Sequence, residues 1–268
     1  MPPAKKRARR YDSAKLRRAV LTQYGSVRAA VADLTPEQLA LPTRLGGDRT
    51  VGDLVAWLHG AARDIVAVTA APEPAPGEDV LVLERWPAAR ARTGPGGEDT
   101  RPLPETYDGF ADDIATAVTT TPDTRRVRTG AGPMRFPDYL VTRAVELTVL
   151  ADDLDEALAP AGINVPRDRD ALAATTRLLA DALATAAPGG SVEVRIPPYA
   201  VVQCVEGPRH TRGTPPNVVE TDPPTWIRLA TGRLGWADAL DSARLSASGE
   251  RADLSAVLPV LPVLPAPG

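Results

Sequence analysis

The apolar residues of this chain change their spacing at Pro188-Gly189-Gly190, and this change constrains the fold more than any other feature. Before that point they recur at intervals of three and four residues, which places them on one face of a helix. Directly after it, residues 191–196 alternate between apolar and polar side chains, the pattern of a half-buried strand. The sequence therefore predicts an α+β protein, with a helical part followed by a smaller part that contains a sheet.

Four long helices are predicted in the first part, and Thr35-Pro36-Glu37-Gln38 predicts the start of a short helix between the first two of them. Asp12 is a suitable N-cap for the first helix, and Thr50, with Asp53 three residues later, is suitable for the second. The third helix is predicted at about 105–120 and the fourth at 136–158. The apolar stripe of the fourth helix consists of Leu140, Ala144, Leu147, Ala151 and Leu154. Its alternating intervals of four and three residues favour a packed four-helix bundle.

Between the second and third of these helices, residues 72–104 are rich in proline and glycine. Only the segment 80–86 interrupts this composition. The stretch is long for a connection within a compact domain, so we interpret it either as a lid or as a surface loop.

The second part begins with a helix predicted at about 169–187. Strands are then predicted at 191–196, 200–205, 218–220 and 244–247, and helices at 224–231 and 236–240. This mixture predicts a small α/β domain. We divide the chain into a disordered basic tail at 1–11, a helical bundle at 12–160, the sheet-containing domain at 168–261 and a proline-rich tail at 262–268.

Composition argues against several classes of function. The formal net charge is only −3, which argues against a surface that binds nucleic acid or a membrane, and the basic cluster at 5–10 makes DNA binding a distant alternative. No apolar run is long enough to cross a membrane. The single cysteine excludes an internal disulfide and a multi-cysteine metal site, which favours the cytoplasm.

Two motifs carry a resemblance to a known family. They are Val51-x-x-Leu54-Val55-Ala56-Trp57-Leu58 and Arg143-x-x-Glu146-x-x-x-Leu150-x-x-Asp153. Together they resemble the helical bundle of the mycothiol-dependent maleylpyruvate isomerase family, which is DinB-like. The resemblance implies a three-ligand site for a divalent ion that activates a thiol. In the family, histidine normally stands at the positions of Trp57 and Leu150, and glutamate at that of Glu146.

Of these three ligands only Glu146 is present in this chain. Tryptophan and leucine offer no lone pair to a divalent cation, and one carboxylate does not hold zinc against water. We therefore expect no metal and no other cofactor in the bundle, with Trp57 and Leu150 filling the space that the ion takes in the family. Zinc or another divalent metal, and mycothiol, are expected only if the chain is an active member.

Two polar residues near these positions have simpler interpretations. His59 lies two residues after Trp57, so its side chain points about 200° away around the helix, and we interpret it as a partly exposed residue of the helix flank. Arg143 lies three residues before Glu146, which favours a structural ion pair. No second acid or nucleophile accompanies Glu146, so we assign no catalytic residue and no cofactor-binding residue.

The second part resembles the bacterial branch of the sterol-carrier-protein family over about 170–261. The resemblance rests on the apolar strand and basic loop at 201–217, on the segment 221–233 and on the late segment 246–254. It implies a sheet covered by helices over an apolar cavity that holds a lipid-like molecule. It also implies a binding module without a catalytic group of its own.

Few polar residues of the second part are candidates for a site. Cys204 lies in an apolar strand, and we interpret it as a small buried hydrophobic residue. Arg209, His210 and Arg212 form a cationic turn, and they are the candidates for holding the carboxylate or phosphate of a ligand.

The sequence favours one function and leaves a second open. The favoured hypothesis is a carrier that binds a hydrophobic, lipid-like small molecule, with the degenerate bundle as scaffold or partner surface. The alternative is a mycothiol-dependent and divalent-metal-dependent isomerase or thiol transferase. We expect no nucleic-acid partner and no integral association with a membrane, and the sequence does not specify an oligomeric state.

Overall fold

A computed structural model describes residues 9–46, 48–93, 108–207 and 216–261. The predicted α+β class is confirmed, because helices form the N-terminal region and a small sheet lies in the C-terminal part. The helices among these residues are α1 (Ser13–Val31), α2 (Pro36–Leu39), α3 (Val51–Ala70), α4 (Trp86–Thr93), α5 (Asp108–Thr120), α6 (Phe136–Leu158), α7 (Arg169–Ala186), α8 (Pro223–Ala230) and α9 (Trp236–Asp241). The strands are β1 (Arg126–Thr129), β2 (Gly132–Arg135), β3 (Val192–Ile196), β4 (Ala200–Cys204), β5 (Val218–Thr221) and β6 (Leu245–Ser248).

The long helices α1, α3, α5 and α6 form the bundle, and their starts follow from local capping. The Asp12 carboxylate accepts a hydrogen bond from the Lys15 backbone N–H at 2.8 Å, which begins α1. Thr50 and Asp53 form the predicted capping box at the start of α3. Helix α6 has the predicted bounds, with a proline in its first turn. Its apolar residues are buried in the middle of the bundle.

The sequence does not predict two elements of this region. Helix α4 lies in the stretch 72–104, so the interpretation of that stretch as a loop is wrong for this segment. The other element is a hairpin in which β1 and β2 pair antiparallel, with Val127 opposite Met134. These two side chains are buried, but strands of four residues are too short to show a clear alternation in the sequence.

The sheet of the C-terminal part has the strand order β4-β3-β5-β6. Strand β3 pairs antiparallel with β4 and parallel with β5, and β5 pairs antiparallel with β6. The predicted alternation holds along β3, where Val192, Val194 and Ile196 are buried while Glu193 and Arg195 lie on the opposite face. One face of the sheet therefore packs in the core, and the other is partly open to solvent.

The change from helix to strand depends on Gly189. A Cβ atom added there would lie 1.9 Å from the backbone oxygen of Val205, at the end of β4. Only glycine allows the chain to approach that closely at this turn. The turn lets β3 begin beside β4 directly after α7.

Helix α7 joins the two regions, because it packs against α1 and α6 on one side and against β4 on another. Ion pairs reinforce this junction from the last part of α6. Asp152 accepts two hydrogen bonds from Arg228, the shorter at 2.6 Å, and Asp153 accepts two from Arg233, both at 2.6 Å. Burial raises the pKa of Asp153, and Arg233 opposes this rise. The buried apolar residues of both regions form one contiguous cluster.

The domain division at 12–160 and 168–261 stays a prediction, as does the character of the two tails. Residues 1–8 and 262–268 lie outside the described part of the chain. Among the residues that are described, no helix is both long and apolar enough to cross a membrane.

Candidate functional site

Helix α6 carries the residues on which the family resemblance depends. Glu146 and Leu150 are one helical turn apart, and both are almost fully buried. Trp57, on α3, is partly buried and packs against the apolar core. The three positions therefore belong to the two helices that contact each other in the middle of the bundle.

Glu146 lies between two guanidinium groups. Its Oε2 is 2.8 Å from Nη1 of Arg143, so the predicted ion pair is present, and its Oε1 is 3.6 Å from Nε of Arg90. The side chains of both arginines are 10 % exposed and that of Glu146 is 3 % exposed. Charges this far from water are tolerated only when they are paired.

Asp64 and Tyr139 complete this arrangement, which we call the polar cluster: Asp64, Arg90, Tyr139, Arg143 and Glu146. Asp64 accepts hydrogen bonds from the Tyr139 hydroxyl at 2.9 Å and from Arg143 at 3.0 Å. The Arg143 guanidinium also lies 4.8 Å from the centre of the Tyr139 ring, in cation–π geometry. Burial raises the pKa of Tyr139 well above its usual range. The cluster is thus an ion-pair network with balanced charge.

The polar cluster does not fit a divalent metal ion. Trp57 and Leu150 offer no lone pair, and the Glu146 carboxylate faces a guanidinium at each oxygen. An ion bound there would lie beside two positive charges. Throughout the ranges that the structure describes, no group of three or more His, Cys, Asp or Glu side chains is placed to hold a metal.

The interpretation of His59 as a partly exposed residue of the helix flank is wrong. The residue is only 8 % exposed, on the buried side of α3. Burial, and secondarily the nearby charge of Arg63, lower the pKa of His59 to about 4. The imidazole is therefore neutral near pH 7. Its neighbours Leu58, Ala61 and Ala62 are buried as well. The sequence pattern of α3 alone does not predict that His59 is buried with them.

A second candidate site lies on the open face of the sheet, beside the turn between β3 and β4. It is a groove of about 360 Å³, lined mainly by Pro197, Pro198, Tyr199 and Val201, with Arg195 and Glu220 at its polar side. Val201 is 59 % exposed. We call this feature the sheet groove.

Charged side chains around the sheet groove are paired with one another. Arg195 is 2.8 Å from Glu193 and 3.9 Å from Glu220. Arg177, on α7, donates a hydrogen bond to the backbone oxygen of Tyr199 at 3.2 Å. This bond fixes the turn that carries the apolar wall of the groove.

The other predicted candidates of this region have different outcomes. Cys204 is completely buried on the inner face of the sheet, as expected for a small hydrophobic residue. Arg209, His210 and Arg212 lie outside the described residues, so their proposed role in binding an anion stays a prediction.

Arg90, Asp64 and Tyr139 are the members of the polar cluster that the sequence analysis missed. Arg90 was hidden because α4 lies in a proline-rich stretch. A weak signal was available, since Pro87 stands near the start of α4 and Trp86, Ala89 and Arg90 recur at helical spacing. Asp64 gives no comparable signal, because its partners are distant in the sequence.

The protein combines a DinB-like helical bundle with a small sheet-containing region that follows the last helix of the bundle. The family model described as mycothiol maleylpyruvate isomerase N-terminal domain matches residues 20–155, and the chain belongs to this family. A second model, described as bacterial SCP ortholog, matches residues 168–260. The predicted resemblance to both families is confirmed.

Two solved structures are similar to the chain. The crystal structure of a point mutant of the mycothiol-dependent maleylpyruvate isomerase is 14 % identical, with a TM-score of 0.50 and coverage of 89 % of this chain and 93 % of that one. A crystal structure of the mycothiol-dependent maleylpyruvate isomerase is 17 % identical, with a TM-score of 0.47 and the same coverage, 89 % and 93 %. At 14 % identity the first similarity shows the fold alone. No curated protein matches the chain.

Proposed function

We propose that the protein binds a hydrophobic, lipid-like small molecule through its C-terminal region, and that the bundle is a scaffold without bound metal. The observation that carries this proposal is the sheet groove, where the exposed Val201 side chain adjoins an apolar wall of prolines and a tyrosine. The groove is shallow and open to solvent, and its volume of about 360 Å³ is at the low end of the range of small-molecule sites.

The charges around the groove indicate what kind of molecule it favours. Arg195 already pairs with Glu193 and lies near Glu220, so a strongly anionic ligand would have to displace a carboxylate. Binding energy at this face comes mainly from apolar contact with Val201, Tyr199 and the prolines. We propose an apolar ligand with a weakly polar end directed toward Arg195.

The bundle supports the proposal through the chemistry of its side chains. The structural relatives named above are isomerases that depend on mycothiol, and their activity is the alternative function for this chain. The polar cluster lacks two of the three ligands that the family resemblance implies, and its remaining carboxylate is paired with two arginines. We therefore propose that the bundle binds neither zinc nor mycothiol, and that the protein acts in the cytoplasm without a nucleic-acid partner.

Ligand binding is tested by titrating the full chain with an uncharged fluorescent fatty-acyl ester as probe, together with native mass spectrometry of the purified protein. We expect the probe to bind, and Val201→Glu to weaken its binding at least about tenfold because the change places a charge on the apolar wall. Val82→Glu is the matched control, since Val82 is 53 % exposed in the other region. Absence of probe binding and of co-purifying lipid, or equal affinity of the two variants, contradicts the proposal.

The isomerase alternative is tested separately by elemental analysis and by thiol-conjugation assays with mycothiol before and after chelation. We expect no stoichiometric metal and no activity that chelation removes. Stoichiometric zinc that is lost together with activity establishes the alternative and overturns the metal-free bundle.

A further inference from the structure

The Arg90 guanidinium lies next to the Glu146 carboxylate in the bundle. Helix α4 places the Arg90 guanidinium in the bundle interior, with Nε 3.6 Å from Oε1 of Glu146. Only 8 % of Arg90 is exposed. A buried guanidinium carries a large desolvation cost, and a carboxylate next to it offsets that cost.

We propose that Arg90 is the built-in cation of this bundle: it supplies positive charge to Glu146 in place of a divalent ion and thereby excludes such an ion from the site. The inference rests on the metal-free bundle of the proposed function. It goes further by assigning the exclusion to one residue, on a helix that carries none of the three positions Trp57, Glu146 and Leu150.

Arg143 is the other cation beside Glu146, but its surroundings point to a different role. Besides its 2.8 Å contact with Glu146, it is held by Asp64 at 3.0 Å and by the Tyr139 ring at 4.8 Å. It also lies on the same helix as Glu146, three residues earlier. Arg143 is therefore part of the bundle framework, whereas Arg90 reaches Glu146 from a separate segment of the chain.

Geometry explains why Arg90 opposes a metal even if histidines are restored. A cation bound by Glu146 and its neighbours on α3 and α6 has to approach the carboxylate, and the Arg90 guanidinium already lies against its Oε1. Like charges at such a separation in a buried site repel strongly. New imidazole donors at positions 57 and 150 add ligands, but they leave this repulsion in place.

The test restores the missing ligands with and without Arg90. The variants are Trp57→His/Leu150→His, the same pair with Arg90→Met, and the same pair with Arg135→Met as matched control. Arg135 is a surface residue directly before α6, paired with Asp138, and its side chain is 64 % exposed. Zinc affinity of each full-length variant is measured with a competing chelator.

We expect the histidine pair alone to bind zinc weakly and Arg90→Met to tighten binding about 10–100-fold, the size of effect that groups surrounding metal ligands have. The Arg135→Met control is expected to stay within about threefold of the histidine pair. If the histidine pair binds zinc as tightly with Arg90 as without it, the proposal is wrong.

A charge-retaining variant keeps the test decisive should Arg90→Met fail to fold. Arg90→Lys in the histidine pair retains the positive charge, and we expect its zinc affinity to stay as weak as that of the pair alone. Tight zinc binding by the lysine variant overturns the proposal. Stoichiometric zinc in the unaltered chain has a different meaning, because it contradicts the metal-free bundle itself.

Discussion

The bundle and the sheet region contain the same kind of ion pair in different surroundings. In the bundle, Glu146 and Arg143 are 2.8 Å apart, with side chains 3 % and 10 % exposed. In the sheet region, Glu193 and Arg195 are also 2.8 Å apart, but 17 % and 37 % exposed. The distances are equal, so burial decides what each pair contributes. Charges of the bundle hold its interior together, whereas those of the sheet face remain accessible to a ligand.

The contrast between the two ion pairs is tested most strongly by removing the carboxylate from each pair. We expect Glu146→Gln to lower the free energy of unfolding by about 3–5 kcal/mol, because it leaves buried guanidinium groups without their carboxylate. Glu193→Gln is expected to cost less than about 1 kcal/mol, since water stabilises the arginine that remains. Urea denaturation at pH 7 measures both. Similar small losses for the two variants would show that the polar cluster is solvated.

A second comparison concerns apolar side chains. Leu150 is 1 % exposed, and we expect Leu150→Ala to lower the free energy of unfolding by about 3 kcal/mol, through lost burial and the cavity left behind. Val201→Ala on the sheet face is expected to change stability by less than about 0.5 kcal/mol. Denaturation curves of the two variants test whether position 150 is packed core. A nearly neutral Leu150→Ala contradicts the filled bundle.

His59 allows the buried character of the bundle to be tested by pH. Its pKa in the folded chain is about 4 against an ordinary value of 6.5, so the unfolded chain takes up the proton first as pH falls. The contribution of neutral His59 to the free energy of unfolding is fully present above about pH 6.5 and decreases as the pH falls toward 4. We expect wild type to lose about 1–2 kcal/mol more than His59→Gln between pH 7.5 and 4.5.

The same measurement separates His59 from the carboxylates, whose protonation also destabilises the fold in acid. Both chains share those carboxylates, so the difference between their pH profiles isolates the imidazole. Identical profiles for wild type and His59→Gln would place the ring in contact with water.

Much of the fold can be predicted because its signals are local. The capping box of Thr50 and Asp53, the apolar stripe of α6 and the alternation of β3 each lie within a few residues, and each element appears where it is predicted. The hairpin of β1 and β2 is missed because its four-residue strands show no alternation, and only the bundle core buries Val127 and Met134.

The residues of the candidate sites are also predictable only where their contacts are local in the sequence. Arg143 and Glu146 are three residues apart on one helix, so their pairing follows from helical geometry. Arg90 reaches Glu146 only through the tertiary fold, from a segment whose proline content hides its helix. The sheet groove likewise cannot be predicted from the sequence. Val201 is exposed, but an apolar residue at this position of a strand looks the same in the sequence when another element covers it.

Removing a helix cap is expected to have the smallest effect on stability, and this effect should be the same in both regions. Thr50 caps α3 in the bundle by accepting a hydrogen bond from the Asp53 backbone N–H at 3.4 Å, and Asp222 caps α8 in the sheet region by accepting one from Thr225 at 2.9 Å. We expect Thr50→Ala and Asp222→Ala each to lower the free energy of unfolding by about 1 kcal/mol. Thermal and urea denaturation measure both losses.

Equal losses mean that the two regions differ only in the burial of their charged pairs. A cap acts on its own helix end, whether the helix lies in the bundle or beside the sheet. If one cap variant loses several times more free energy of unfolding than the other, the two regions differ in overall stability. The difference expected between Glu146→Gln and Glu193→Gln would then have to be corrected for it.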